Sequence, residues 1–484
     1  MTTAAEPTWD LTTLLAAALA GTLTEAQAAA LPALGPEAVV AFAMAMAGRV
    51  AGLLGAAAAA AAAAISTPSG MRPVYEKATA DKRRRKTPGA KPGHKGSRRK
   101  PPVAIDHKVE HRLGACPCCG GVLQRCNGTR TRLIEDIPVD IKPEVTEHTI
   151  HRDYCPKCKK HREPVVPDAM PGATLGHRAV ALSGFFHYGL GVSIQQARDL
   201  LGGHLQMEVT AGGLVSAWQR MAGALAPWYE QIHQQLLDTA CLHADETGWR
   251  VDGKTHWLWC FCDRTTCLYM IDRSRGGPAL KRFFDEAFEG TLVTDFWAAY
   301  DAVIADDRQV CLPHLFRELA KVDERNATPE WLAFSKKLKR LLRDGIRLRK
   351  RADFTPDKYR SRIDLIDRRL AALATATYDD PDASRLAKRL GRFQDYYFTF
   401  LERPEVPADN NHAERQIRPA VIQRKNILCN RSADGAEVQG VLMSIFRTLK
   451  LRGHDPTRTI AAALREFVRT GKLPPLPGPA VADG

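Results

Sequence analysis

Three acidic residues stand where metal chemistry on a polyanion could occur: Asp245 in "LHADET", Asp295 in "LVTDF" and Glu414 in "ADNNHAERQIRP". Carboxylates drawn from separate segments hold hard cations such as Mg²⁺ or Mn²⁺ and leave positions for water and phosphate oxygens. Two such ions activate a water or a 3′-hydroxyl and stabilise the leaving oxygen of an in-line displacement. Glu414 is ringed by Arg415, Arg418, Arg424 and Lys425, which suit phosphate, the arginines bidentately. Each acid alone has an ordinary alternative, since most helix glutamates are solvated or ion-paired. Glu414 and Arg418, at i and i+4, would form such a pair. Glu246 rivals Asp245, and Glu318 in "CLPHLFREL" rivals Glu414. His314 of that segment either touches the reacting phosphate or packs beside it.

The elements that must position these acids form an alternating pattern. "TACLHADETGWRV", "THWLWCFCD" and "TTCLYMID" read as three strands. "GPALKRFFDEAF" reads as a helix, "GTLVTDF" as a strand and "WAAYDAV" as a short helix, and "RQVCLP" and "HLFRELAKV" as a strand and a helix. This is the order of a ribonuclease H-like α/β core, in which the first and fourth strands are neighbours, and other mixed α/β folds begin in the same way. Asp245 alternates with Leu242 and Ala244 onto the other face of the first strand, and Asp295 ends the fourth. Asp409 or Asn410 is placed to cap the helix that carries Glu414. Between them, residues 326–404 read as an all-helical insertion. Thr328–Pro329 opens its first helix, and Tyr359, Ile363, Ile366, Leu370 and Leu373 recur at helical spacing in its second.

A second kind of chemistry precedes this core. Cys116 and Cys119 in "CPCCG" and Cys155 and Cys158 in "CPKC" are two Cys-x-x-Cys knuckles separated by 35 residues. Four thiolates close a tetrahedral structural Zn²⁺ site, with no open position for catalysis. The strand-like segment between the knuckles fits the hairpin of a zinc ribbon, and His111, His151 or His161 could replace one ligand. Redox pairs or unrelated buried cysteines are the alternative. Twelve cysteines, several of them in Cys-x-x-Cys pairs, point to metal binding in a reducing cytoplasm.

Composition agrees with a nucleic-acid partner. There are 69 Lys+Arg against 54 Asp+Glu, a net charge of +15. Ten Lys/Arg fall within residues 82–100, beginning with Lys82, Arg83, Arg84, Arg85 and Lys86, among prolines and glycines that preclude a core. Such a linker binds phosphate by counterion release, or else serves as a solubilising spacer. The nine alanines at 56–64 are too short and too weakly apolar for a membrane span. They read as a soluble helix or a low-complexity spacer. Residues 172–238 read as all-helical, either a helix-turn-helix-like DNA binder or a packing module.

Most of residues 90–456 resembles the transposases of the insertion sequence 66 family, whose large subunit is a DDE-type recombinase. The resemblance rests on "KPGHKG", "CPCCG…CPKC", "DET" at 245–247, "VTDFWAAY" at 293–300 and "CLPH" at 311–314. Its most specific part is "DNNHAERQIRP" followed by "RKN" and "GAEVQG". It implies that Asp245, Asp295 and Glu414 are the catalytic triad and that the helices at 328–402 precede its final member. The expected organisation begins with an alanine-rich helical region (1–68), a basic linker (69–105), a zinc ribbon (106–165) and a helical region (166–238). A ribonuclease H-like core follows (239–325), then the insertion (326–404), the final core helix (405–425) and a helical C-terminal region (426–484). The expected function is binding of transposon ends with metal-dependent cleavage and strand transfer. A nuclease that never joins strands, or an inactive DNA-binding regulator, are the alternatives. Expected partners are transposon-end and target DNA, further copies of the chain on DNA and small accessory proteins of the same element. No membrane is involved, and the expected location is the cytoplasmic nucleoid.

Overall fold

The computed structural model describes residues 10–20, 23–47, 50, 104–123, 130–138 and 141–480. The alanine run, the basic linker and with it Lys82, Arg83, Arg84, Arg85 and Lys86 lie outside the described residues. The described N-terminal part is helical, as expected, over Leu11–Ala20, Glu25–Ala30 and 36–47. Thr24 and Gln27 form a reciprocal capping box on the second of these. No described helix is long and apolar enough to cross a membrane.

The ribbon region departs from its expected form. Each knuckle is shaped locally, but the hairpin joins β1 (Asp153–Cys155) to β2 (Lys160–Arg162) around the second knuckle. The strand-like residues between the knuckles form no strand among those described before β1. They carry β-branched residues, and those described are not buried: Val145 is 91% exposed and Ile134 74%. Pattern alone cannot form a strand where no surface offers burial.

Five strands make the central sheet, in the order β5-β4-β3-β6-β7. β3 (Cys241–Val251), β4 (Lys254–Cys262) and β5 (Cys267–Asp272) form an antiparallel meander. β6 (Phe288–Thr294) returns after the Gly277–Phe283 helix to lie parallel to β3, and β7 (Ala305–Val310) extends the sheet beyond it. The first and fourth core strands are therefore neighbours, as expected. β3 is buried on both faces, and "WAAYDAV" contracts to one 3₁₀ turn at Ala298–Ala302.

The outer edge of β5 would expose unpaired backbone groups, and the Ala433–Leu451 helix covers it. Tyr269 N donates to Ser444 Oγ (2.7 Å) and Cys267 N to Thr448 Oγ1 (3.1 Å). Gly440 permits this approach, since a Cβ there would lie 2.9 Å from the Tyr269 carbonyl oxygen. This helix of the expected C-terminal region is thus part of the core. So is Ala211–Leu237, whose Leu214, Trp218, Met221, Leu225, Trp228 and Ile232 are buried in one cluster with the sheet. Of the two readings of residues 172–238, the packing module accounts for that helix.

The insertion builds a second core. Pro329–Leu348, Pro356–Thr375 and Pro381–Arg392 each start at a proline behind a capping Thr328, Thr355 or Asp380. Their apolar faces, including Ile363, Ile366, Leu370, Leu386 and Leu390, join Val293, Val310, Leu312 and Leu315. Leu292 belongs to the first core and Val293 to the second, so the two cores meet where β6 ends.

Candidate active site

β3 and β6 run in parallel with His243 opposite Val293. The same register carried two residues further sets Asp245 beside Asp295. Asp295 turns the chain immediately after β6 and its Oδ1 accepts the Trp297 amide at 2.8 Å. The next residue, Phe296, packs on Phe393 and Tyr397, with the Arg389 guanidinium over its ring. The insertion therefore braces the turn that holds Asp295.

Glu414 arrives on the Asn411–Ile427 helix, which packs on β3 and β4. Of the two expected caps it is Asp409 that bonds the helix start, and Asn410 makes no side-chain cap bond. Its buried amide donates to the Ala244 carbonyl (2.7 Å) and its Oδ1 meets His243 Nδ1 (2.9 Å). Those bonds stitch the helix start to β3 beside Asp245, while Asp409 Oδ1 accepts the Asn411 amide at 3.0 Å. Among the described residues the oxygens of Asp245, Asp295 and Glu414 do not all lie within 4.8 Å of one another, though their charges act on one another. Burial holds the Asp245 carboxyl well above the usual carboxylate range, and the charges of Glu246, Asp295 and Glu414 push it further.

The two rival acids are neutralised by other partners. Glu246 is buried, pairs with Arg275 at 3.0 Å and accepts the Tyr300 hydroxyl at 2.9 Å. Arg275 in turn lies between the Trp257 and Trp297 rings, at 4.4 and 3.9 Å. Burial and Asp295 push Glu246 up to about 7 against the pull of Arg275. Glu318 faces away toward the insertion, bonded to Arg385 (2.8 Å) and Arg389 (2.5 Å). Glu246→Ala should cost roughly 3 kcal/mol or more of unfolding free energy in a denaturant titration, because it leaves the buried Arg275 charge unpaired. An unchanged unfolding midpoint would show that Glu246 is no such brace.

Asp245, Asp295 and Glu414 offer only oxygen donors and too little positive charge to balance them, so the set fits hard divalent cations. A second group, Cys311, His314 and Glu414, brings ligand atoms within 4.8 Å of one another. Cys311 there is the N-cap residue of Leu312–Asp323, its sulfur accepting the Asn410 amide at 3.2 Å. Burial pushes its thiol up to about 12, which suits that structural task better than a thiolate ligand.

The profile of the IS66 family of transposases matches residues 172–438, more than half of the chain and the whole of this site. The chain belongs to that family. The zinc-finger binding domain of IS66 transposases matches residues 114–159, which supports a structural zinc and DNA binding by that region. Two Sinorhizobium fredii proteins are similar along most of the length. The uncharacterized protein y4jD is 24% identical over 396 residues, covering 74% of this chain and 76% of its own. The uncharacterized protein y4hP is 22% identical over 395 residues, covering 72% and 70%.

The cations of the transposase divide into two groups. Arg415, Arg418 and Lys425 are exposed on the Glu414 helix and make no ion pair among the described residues. Arg415 also lines a cavity of about 400 Å³ with His243, Asp263 and His412, which none of the three carboxylates lines. Arg424 corrects the expectation of a phosphate-holding residue: it is half-buried and bonds Thr247 Oγ1 (3.2 Å) and the Gly248 carbonyl of β3. Glu414 pairs with Arg317 at 2.9 Å rather than with Arg418, and His314 Nε2 lies 3.7 Å away. Sequence reasoning missed Arg317. Its one signal was spacing, since it stands at i+3 from His314 and so shares a helix face with it.

In the ribbon, amides of Cys118 and Cys119 lower the Cys116 thiol, and those of Cys158 and Lys157 lower Cys155. Each knuckle is thus suited to thiolate. The described residues do not gather three of the four sulfurs within 4.8 Å.

Proposed function

We propose that this IS66 transposase cuts and joins DNA in a ribonuclease H-like core, with Asp245, Asp295 and Glu414 as a DDE triad. The observation that carries the reading is the strand register that sets Asp245 beside Asp295, with the start of the Glu414 helix bonded to β3 next to Asp245. The sheet order, three antiparallel strands followed by two parallel to the first, supports the same core. Asp245, Asp295 and Glu414 would hold two Mg²⁺ or Mn²⁺ ions. When bound, these supply activation of a water or 3′-hydroxyl and neutralise the leaving oxygen. Hydrolysis frees a 3′-hydroxyl, and attack of that hydroxyl on target DNA is the same phosphoryl displacement, so one set of residues serves both. Arg415, Arg418 and Lys425 hold flanking phosphates, and Cys116, Cys119, Cys155 and Cys158 bind one structural Zn²⁺. Paired ends call for at least two copies of the chain on nucleoid DNA, with accessory proteins of the element as further partners.

Calorimetry with Mn²⁺ tests the triad. Glu414→Gln should weaken binding at least on the order of tenfold while the fold persists. Affinity should also fall on acidification from neutral pH. A proton competes for each carboxyl, and the raised Asp245 keeps its proton at higher pH than a free aspartate would. Unchanged binding in the variant would remove Glu414 from the triad. Products in which donor is never joined to target would leave a nuclease.

A further inference from the structure

Arg317 lies at the centre of the carboxylate cluster's charge balance. Arg275 is committed to Glu246, and Arg385 and Arg389 to Glu318. The cation that meets the triad itself is Arg317, whose Nη2 donates to Glu414 Oε1 at 2.9 Å and lies 3.2 Å from His314 Nε2. Its side chain is 55% exposed. Nε leans on the Pro313 carbonyl at 3.4 Å, and Nη1 has no partner among the described residues.

The helix beneath it is anchored at both sides of the site. Cys311 N donates to the Thr294 carbonyl, next to Asp295, and Leu312 N to the Ala408 carbonyl, ahead of the Glu414 helix. Along that helix His314, Arg317 and Lys321 follow at i, i+3 and i+7, one face by helical geometry. Lys321 is exposed without an ion pair among the described residues. Arg317 to Lys321 spans about 6 Å of helix axis.

We infer that Arg317 exchanges partners: it pairs with Glu414 when DNA is absent, and it grips a phosphate next to the reacting one when Glu414 turns to metal. This rests on the triad reading above. An ion pair this exposed is weak and easily given up. A guanidinium with one fork already free is built for bidentate phosphate. The pairing occupies Glu414 until metal is bound, and Lys321 continues the track along the strand.

The test uses the full-length protein, Mn²⁺ calorimetry and nicking of a supercoiled plasmid in Mn²⁺. Arg317→Ala should bind Mn²⁺ as tightly as wild type or a few-fold tighter, having lost the competitor for Glu414. Its nicking rate should fall on the order of 10²-fold, and Arg317→Lys should recover part of that. Loss of Mn²⁺ affinity in Arg317→Ala would make Arg317 only a support for Glu414, and wild-type nicking would deny it any contact with DNA. Either result overturns the proposal and leaves the triad in place. Wild type and Glu414→Gln binding Mn²⁺ alike would instead overturn the triad, and this proposal with it.

Discussion

Asp245→Asn should abolish strand cleavage and strand transfer, by a factor on the order of 10³ or more, and leave the metal-free protein at least as stable as wild type. The substitution is isosteric, so the Glu246 amide keeps its acceptor, now an amide oxygen. What disappears is one negative charge from a crowd. The wild-type carboxyl sits well above the usual range through burial and the neighbouring Glu246, Asp295 and Glu414. A folded carboxyl that holds its proton more tightly than the unfolded one adds stability in acid. That stability is lost as pH climbs past the ordinary aspartate value toward the raised one. The asparagine variant has no such loss, so its advantage in melting temperature should grow with pH. Asp295→Asn should behave alike in activity, since its Oδ1 keeps the Trp297 amide. A variant at either position that still joins donor to target would end the DDE reading. The contrast with Glu246→Ala is the informative part, because adjacent acids on one strand are expected to fail in opposite ways: one keeps its stability and loses chemistry, the other loses stability.

Much of this architecture was legible because local pattern and tertiary demand coincide. Thr328 and Thr355 ahead of prolines announce helices, and both cap as expected. The apolar spacing from Ile363 to Leu373 is the face that packs. Asp245 and Asp295 were brought together on paper by strand order alone, and the sheet has that order. What was not legible depends on partners far apart in the chain. Arg317 and Glu414 are 97 positions apart, and no periodicity couples them. Asn410 has the composition of a cap, but its amide is spent on Ala244 and His243, 166 and 167 positions away. Arg424 resembles its exposed neighbours in sequence. Its place on the helix turns it toward β3, where the Gly248 carbonyl claims it. Side-chain type sets what a residue can bond, and only the fold decides with whom.

The ribbon shows the same limit from the other side, and it yields the second large expected effect. Removing zinc with a strong chelator should release one Zn²⁺ per chain, make residues 114–159 protease-sensitive, and leave the melting of the sheet core unchanged. The matched zinc-finger region is short and carries its apolar residues outside, with Val122 98% and Val145 91% exposed. A unit below about 40–60 residues without a core depends on metal or cross-links for its fold. Structural zinc can supply roughly 10–16 kcal/mol of apparent binding energy, which in such a unit is folding energy. Neither hydrophobic core includes a residue from this region, and its ion pair to the body, His148 with Asp168 at 3.7 Å, is exposed, so its loss should leave the cores intact. Cys116→Ser with Cys155→Ser removes one lowered thiol from each knuckle and should abolish zinc retention outright. DNA affinity should fall at least on the order of tenfold, while nicking of plasmid at saturating protein persists. That persistence separates a domain that gathers DNA from the carboxylates that cut it. A cysteine-free ribbon that still resists protease, in a chain that never held zinc, would overturn the assignment of the four thiolates.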